Sequence, residues 1–557
     1  MLADYRFIVH KSVEEFLNTL DTDMVGRVVG ESTSTKFLFA VDPGCSRKVP
    51  RWEYVVTQLG EGVIVAQVHT ATAYSALLQK DIEYKALQRL ASGEIEAPKH
   101  WRLATVLTYV ENHWNGGLQV STPKHPVLPG SPVYIALDQL IEKLYAKEGE
   151  GLCVGNLVTR RSVCVKLSIA GFRRHLAIIA QTGAGKSYLA GVLMEELLAK
   201  GATIIVLDPH ADYVRMGVPN SSWDEKLSRR VIVYRVSHKP GRFTDIRNIG
   251  RLAVRFSDLS LDELFYLAGM DERFTQIRRV VAHAYKKLKQ EKGGVGFNSE
   301  DLVQELSRLS EIVDKQDRRR AEHAYNAQTY VGRIAGLGIF GEQTTSVEEI
   351  LKPKTMSVID LSGLTDREAD LISYLILKKI FTNKSGPPEN AYQYPVFIFI
   401  EEAHRFIPPE NVRTTWSSQV IKQIASEGRK FGVFLTLITQ RPSKVHPDAL
   451  SQCNSQIIMR ITNPLDQKAV MEASERLGEE LFEDLPGLDK GEAIVVGDIV
   501  NLPAIISVRK RRSYEGGADI DVDSLLSRAL HEAEKEEDDR FKRGMDWNEY
   551  KRRFDVG

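Results

Sequence analysis

Between about residues 23 and 120, apolar and polar positions alternate over short runs: MVGRVVGES, KFLFAVD, WEYVVTQL, GVIVAQVHTAT and WRLATVLTYVE. A period of two puts every second side chain on one face, and glycine, proline and aspartate separate the runs. That spacing predicts a small antiparallel barrel. From about residue 165 the rhythm changes. HLAIIA (175–180), ATIIVLD (202–208), TMSVIDLS (355–362), PVFIFIEE (395–402), VFLTLITQ (433–440) and QIIMRIT (456–462) are unbroken apolar runs with helical stretches between them. Strands of this kind are buried on both faces, so the expected core is α/β with a mostly parallel sheet. Between about 250 and 350 the sheet pattern stops. DELFYLAGM, RRVVAHAYKKLKQ and RRAEHAYNAQTYVGRIAGL repeat apolar residues at i, i+3, i+4 and i+7, which predicts a helical insertion.

The proline-rich stretch PKHPVLPGSP (123–132) reads as a rim loop or domain junction, and after RKRR (509–512) the chain turns polar and charged. The expected organisation is therefore a barrel over 1–150, an α/β core over 151–250 and 346–512, a helical insertion over 251–345 and a C-terminal arm over 513–557.

A chain of 557 residues exceeds what one hydrophobic core supports, in keeping with that division. No run of about 18 apolar residues occurs, so no membrane span is expected. The first residues, MLADYRFIVHKSVEEF, lack a basic stretch followed by an apolar one, which predicts a cytoplasmic rather than a secreted protein. The four cysteines, Cys45, Cys153, Cys164 and Cys453, stand far apart, so reduced thiols are expected rather than a disulfide framework or zinc. The net charge is zero, so any surface that binds polyphosphate must be a local patch.

The chemistry begins at Gln181, Thr182, Gly183, Ala184, Gly185, Lys186 and Ser187, followed by Tyr188 and the helical string LAGVLMEELLAK. An apolar strand, a glycine loop, Lys-Ser and a helix are the parts of a P-loop. The glycines let backbone N–H groups turn inward around a phosphate, and the helix N-terminus adds positive potential. Lys186 supplies a cation for the β- and γ-phosphates of ATP, and the Ser187 hydroxyl a ligand for Mg2+. Ala180 stands where the pattern has glycine, which a negative φ would permit. The strand PVFIFIEE ends in two carboxylates: Glu401 is expected to hold the magnesium ion through its water shell, and Glu402 to polarise the attacking water. Gln440 ends the next buried strand at the same sheet edge, where it can sense the γ-phosphate or orient water. Arg429 closes a helix that starts near Trp416. A cation there suits the helix dipole, and it is also a candidate arginine finger for a neighbouring subunit.

Together, RRHLAIIAQTGAGKS, VLDPHADY (206–213), IEEAHRF and EGRKFG…TQRP resemble the HerA ATPases, the archaeal branch of the HerA/FtsK group of DNA-pumping motors. The opening barrel strings and SVRKRRSYEGGADIDV extend the resemblance over most of the chain. It implies a RecA-like P-loop core, a homo-hexameric ring with ATP sites between subunits, a channel for double-stranded DNA, and a NurA-type nuclease partner in DNA end resection. Mapped onto this sequence, Lys186 and Ser187 match the Walker A pair, Glu401 and Glu402 the Walker B pair, Arg429 the finger, and Arg174 a further contact to nucleotide. The family often has aspartate at Glu401, and glycine then glutamate at Ala211 and Asp212. Arg215, Arg441 and Lys444 are the candidates for contact with DNA phosphates. A conjugation- or packaging-type pump, and a DNA clamp that does not pump, share much of this pattern.

Overall fold

The computed structural model describes residues 24–542 apart from 61, 75–98, 112–118, 146–150, 220, 237–240, 293–294, 312–317, 336, 475 and 518–521. The alternating segments form β1 (Met24–Ser32), β2 (Lys36–Val41), β3 (Tyr54–Leu59), β4 (Gly62–Tyr74), β5 (Lys99–Glu111), β6 (Gln119–Ser121) and β7 (Pro132–Ile135). The strands pair in the order β2-β1-β7-β3-β4-β5-β6, and β2 pairs back on β5, so six of them close a barrel with β6 added outside the ring. Alternate side chains such as Val25, Phe37, Phe39, Val55, Ile64 and Val133 fill its interior. Closure leaves few exposed strand edges.

The unbroken apolar runs lie in a second sheet made of β8 (Leu152–Leu157), β9 (Cys164–Leu167), β10 (Leu176–Ile179), β11 (Thr203–Asp208), β12 (Val231–Val236), β13 (Ile249–Leu252), β14 (Met356–Asp360), β15 (Val396–Ile400), β16 (Val433–Thr439), β17 (Ser455–Ile458), β18 (Glu492–Val496) and β19 (Ala504–Val508). Its order is β13-β12-β14-β11-β15-β16-β10-β17-β18-β19-β8-β9. From β13 to β17 all neighbours are parallel. From β17 to β9 they are antiparallel.

The helices that matter below are α1 (Asp138–Tyr145), α2 (Lys186–Ala199), α3 (Leu261–Ala268), α4 (Thr275–Lys292), α5 (Ser299–Ser310), α6 (Arg318–Ala335), α7 (Asp366–Ser385), α8 (Trp416–Phe431) and α9 (Val522–Lys542). Helices α3 to α6 form the insertion between β13 and β14. They bury Leu264, Val281, Tyr285, Leu302 and Val331 in continuity with the core on one face of the sheet. Barrel and core are fastened by polar contacts: Trp52 Nε1 donates to Asp484 at 2.7 Å, Arg160 pairs with Glu53 at 2.8 Å, and the Tyr54 and Tyr145 hydroxyls meet at 2.9 Å.

One expectation fails. Cys153 and Cys164 form a disulfide, with Cα atoms 6.3 Å apart. The antiparallel pairing of β8 and β9 sets Asn156 opposite Cys164 and, after a bulge, Cys153 opposite Lys166. That register brings together thiols eleven residues apart in sequence, which spacing alone does not reveal. Among the described residues no helix is long and apolar enough to cross a membrane.

Candidate functional site

The site is built at the edge where the parallel strands end. From Ile179 the chain passes through the loop and enters α2 at Lys186. Gly183 and Gly185 hold φ of 79° and 109°, a region that favours glycine. A Cβ on Gly183 would meet nothing within 4 Å, so that side of the loop is open to a bound group. Ala180 is buried and keeps a negative φ, so the missing glycine leaves the loop intact. Gln181 is turned toward its own chain: its side-chain oxygen accepts from the Thr462 hydroxyl at 2.8 Å and the Thr462 N–H at 3.2 Å. Ala184 is buried, and its carbonyl accepts from Gly491 N at 3.2 Å. The Tyr188 hydroxyl accepts from Arg511 N at 2.6 Å, which holds it on the C-terminal segment.

Strand β16 lies between β10 and β15, so the two carboxylates reach across one strand to the loop. Lys186 ion-pairs with Glu401 Oε1 and lies 3.4 Å from Glu402 Oε1. All three side chains are buried, and charges stay in such a place only when they compensate each other. The second oxygen of Glu401 accepts from the Tyr213 hydroxyl. Burial pushes the Tyr213 phenol well above its ordinary range, so it remains a neutral donor. Glu402 takes a left-handed backbone, φ 50° and ψ 50°, uncommon for a residue with a side chain. His404 Nδ1 lies 3.2 Å from Glu402 Oε2 and 3.4 Å from the Thr439 hydroxyl. Burial alone would raise the Glu402 carboxyl, but His404 and Lys186 outweigh it and hold the group below the usual range. It is therefore an ionised carboxylate at neutral pH, as a group that polarises water must be.

Gln440 follows β16, and its side-chain oxygen accepts from the Thr182 hydroxyl, which ties the strand end to the loop. The Ser187 hydroxyl donates to Asp212 Oδ2 at 2.8 Å. Asp208, at the end of β11, accepts from Asp212 N at 3.0 Å and Tyr213 N at 2.9 Å, and so shapes the turn that presents Asp212. The oxygens of Ser187, Asp212 and Glu401 suit a hard cation such as Mg2+, which keeps waters and takes further ligands from phosphates. Among the described residues no group of three or more His, Cys, Asp or Glu forms a metal cage made of protein alone.

Two contributors were invisible in local sequence. Glu195, buried in the apolar helix α2, accepts from Arg512 N (2.8 Å), Ser513 N (2.7 Å) and the Ser513 hydroxyl (2.8 Å). Arg511 is buried beside Gly191, where a Cβ would come within 2.5 Å of its guanidinium carbon. It donates to Tyr514 O at 2.8 Å and Ser513 Oγ at 3.0 Å, and Gly516 N reaches Asp212 O at 3.0 Å. The segment after β19 thus straps the phosphate helix and touches the Ser187–Asp212 pair. The Glu195-Glu196 pair inside an otherwise apolar helix was the one available signal, since a buried carboxylate needs a partner.

The expected arginines do not join this edge. Arg174 precedes β10 and lies 3.5 Å from Asp498, and Arg429 is exposed in the last turn of α8, which leads into the start of β16. Both stand at the opposite edge of the sheet. The seven residues of β16 alone span roughly 20 Å at ~3.3 Å per residue. His175, next to Arg174, joins this segment to both neighbouring elements: its ring donates to Ala425 O of α8 at 3.0 Å and accepts from Leu435 N of β16 at 2.9 Å. Arg441 and Lys444 are exposed beyond β16, on the phosphate side. Arg215, the third candidate for contact with DNA, is partnered within its own chain. Asp245 neutralises it at 2.9 Å, and it packs between the rings of Phe243 and Tyr514.

A mixed α/β sheet whose parallel part carries a P-loop, paired buried carboxylates and a polar strand end between them defines a P-loop ATPase. The profile described as "Helicase HerA, central domain" matches residues 152–380. The chain is 30% identical over 548 residues to the DNA double-strand break repair helicase HerA of Pyrococcus furiosus, covering 89% of this chain and 94% of that protein. It is 31% identical over 459 residues to a probable DNA double-strand break repair helicase HerA of Methanocaldococcus jannaschii, covering 73% and 85%. Among solved structures, VirB4 of Thermoanaerobacter pseudethanolicus is similar at a TM-score of 0.47 and 15% identity, over 65% of this chain and 97% of that one, too distant to bear on function. The chain belongs to the HerA helicase family.

Proposed function

We propose that this protein is an ATP-driven translocase or helicase on double-stranded DNA, working as a homo-hexameric ring in the cytoplasm with a NurA-type nuclease in the resection of DNA ends for repair. The observation that carries the ring is the position of Arg174 and Arg429 at the sheet edge opposite the P-loop, too far away to serve their own site. A heterologous, head-to-tail contact would bring them to the next subunit's nucleotide. The names of the relatives support DNA as the substrate and repair as the setting. The stripe of Val522, Leu525, Leu526 and Leu530 exposed on α9 supports an arm that packs on a neighbour.

In this reading the loop amides and Lys186 bind the β- and γ-phosphates. Magnesium held by Ser187 and Glu401, with Asp212 beside them, would neutralise charge that develops on the phosphoryl oxygens. Glu402 polarises the attacking water, and Gln440, tied to Thr182, reports the γ-phosphate to β16. Arg441 and Lys444 follow that strand directly, so a shift at Gln440 moves cations that can grip DNA phosphates without reading sequence. The test is ATP turnover of the wild type and of Glu402→Gln, each with and without linear duplex DNA. Turnover stimulated by DNA in the wild type, and reduced about 10²–10⁴-fold in the variant with ATP binding kept, is expected. Turnover indifferent to DNA would favour a clamp, and a fully active Glu402→Gln would remove Glu402 from the chemistry.

A further inference from the structure

The N-terminal halves of α4 and α6, in the helical insertion, enclose a solvent-open cleft of about 540 Å³. It is lined by Gln276, Arg279, Val280 and His283 from α4 and by Arg319, Arg320 and His323 from α6. No carboxylate lines it. Among the described residues, none of its three guanidinium groups or two imidazoles has an ion-pair or hydrogen-bond partner. Residues 276, 279, 280 and 283 share one helical face, as do 319, 320 and 323. Packing does not require these polar groups, because the helices bury other positions: Val281, Ala284, Tyr285 and Leu288 on α4, and Ala324, Ala327 and Val331 on α6.

Stability does not account for them either. Arg319 and Arg320 stand in the first turn of α6, where the helix dipole disfavours cations. The neighbouring α5 has the usual arrangement there, with Glu300 and Asp301. Three guanidinium groups that have no carboxylate partner among the described residues repel one another around one opening, and a multivalent anion removes that cost. Guanidinium forks match phosphate oxygens in pairs. Val280 is the one apolar lining residue and no Phe, Tyr or Trp lines the cleft, so charge pairing with phosphate outweighs stacking on a base there.

We infer that this cleft binds the phosphodiester backbone of duplex DNA, as a grip on the insertion separate from the ATP site. This rests on the DNA-motor reading, and one experiment separates their failures. Binding of a labelled mixed-sequence duplex to the full chain is measured over a salt series for the wild type and for Arg279→Ala/Arg319→Ala/Arg320→Ala. The variant is expected to bind more weakly, with the slope of log K against log salt lowered by about 2–3, at ~0.9 per phosphate contact. Its turnover without DNA should be unchanged. The corresponding triple lysine variant should keep most of the slope, which excludes a folding defect. Replacing Lys124, Lys226 and Lys468, which lie outside the cleft, by alanine should leave the slope near wild type.

Wild-type slope and affinity in the triple alanine variant, or an equal loss in the lysine control, would overturn the cleft and leave the motor standing. A wild type that binds no duplex at any salt would overturn both. Calorimetric titration with inorganic phosphate, with the P-loop filled by ADP, should give no saturable heat. A saturable heat that vanishes in the triple alanine variant while its DNA slope stays at the wild-type value would assign the cleft to free phosphate instead.

Discussion

His404 shows how much of the site depends on one side chain. It stands between Glu402 and Thr439, joining the carboxylate proposed to polarise water to the strand that leads to Gln440. Its partnership helps hold Glu402 below the usual carboxylate range against the effect of burial. His404→Ala removes that partner, so the Glu402 carboxyl rises. The sign follows: a higher value protonates the base sooner as pH falls. The acid limb of the pH–turnover profile should therefore move to higher pH while the plateau above neutrality changes less. An unmoved acid limb would separate His404 from Glu402. Lys186, Ser187, Glu401, Glu402 and Gln440 could be read from sequence because each belongs to a short string with a fixed relation to a strand end. Tyr213 and Asp212 could not be assigned, since their partners Glu401 and Ser187 are 188 and 25 residues away. The partners of Arg215 were hidden for the same reason: Asp245 and Tyr514 become its neighbours only through folding.

Elements were legible where burial is two-sided. Continuous apolar runs identified β10, β11, β14, β15, β16 and β17, and the helix foreseen from Trp416 runs Trp416–Phe431. The antiparallel extension β18-β19-β8-β9, and the disulfide within it, was not read, because order across a sheet is a matter of pairing and not of pattern. His175 links elements in a way that sequence also hides. Burial pushes its imidazole down to about 4, against the hydrogen bond to Ala425. The folded state therefore binds fewer protons than the unfolded chain, where histidine titrates near ~6.5. This contribution is fully present above about pH 6.5 and is lost as pH falls towards about 4. In His175→Gln, which does not titrate, the drop in thermal midpoint between pH 7 and pH 5 should be smaller than in the wild type. An equal drop would mean that His175 is not buried in its neutral form.

At the scale of the whole molecule the sheet has two working edges. One carries the P-loop, Glu401, Glu402 and Gln440. The other carries Arg174 and Arg429, whose segments His175 links. In the proposed ring, the edge that would bind phosphate on one copy meets the edge that offers guanidinium groups on the next. The central claim is that Arg429 acts on a neighbour's site. Glu402→Gln and Arg429→Ala should each be inactive alone. Co-expressed in one assembly, they place an intact Glu402 beside an intact Arg429 at some interfaces. Turnover in the presence of duplex DNA should then recover to a measurable fraction of wild type. Mixed assemblies as inactive as either parent would contradict a site shared between subunits.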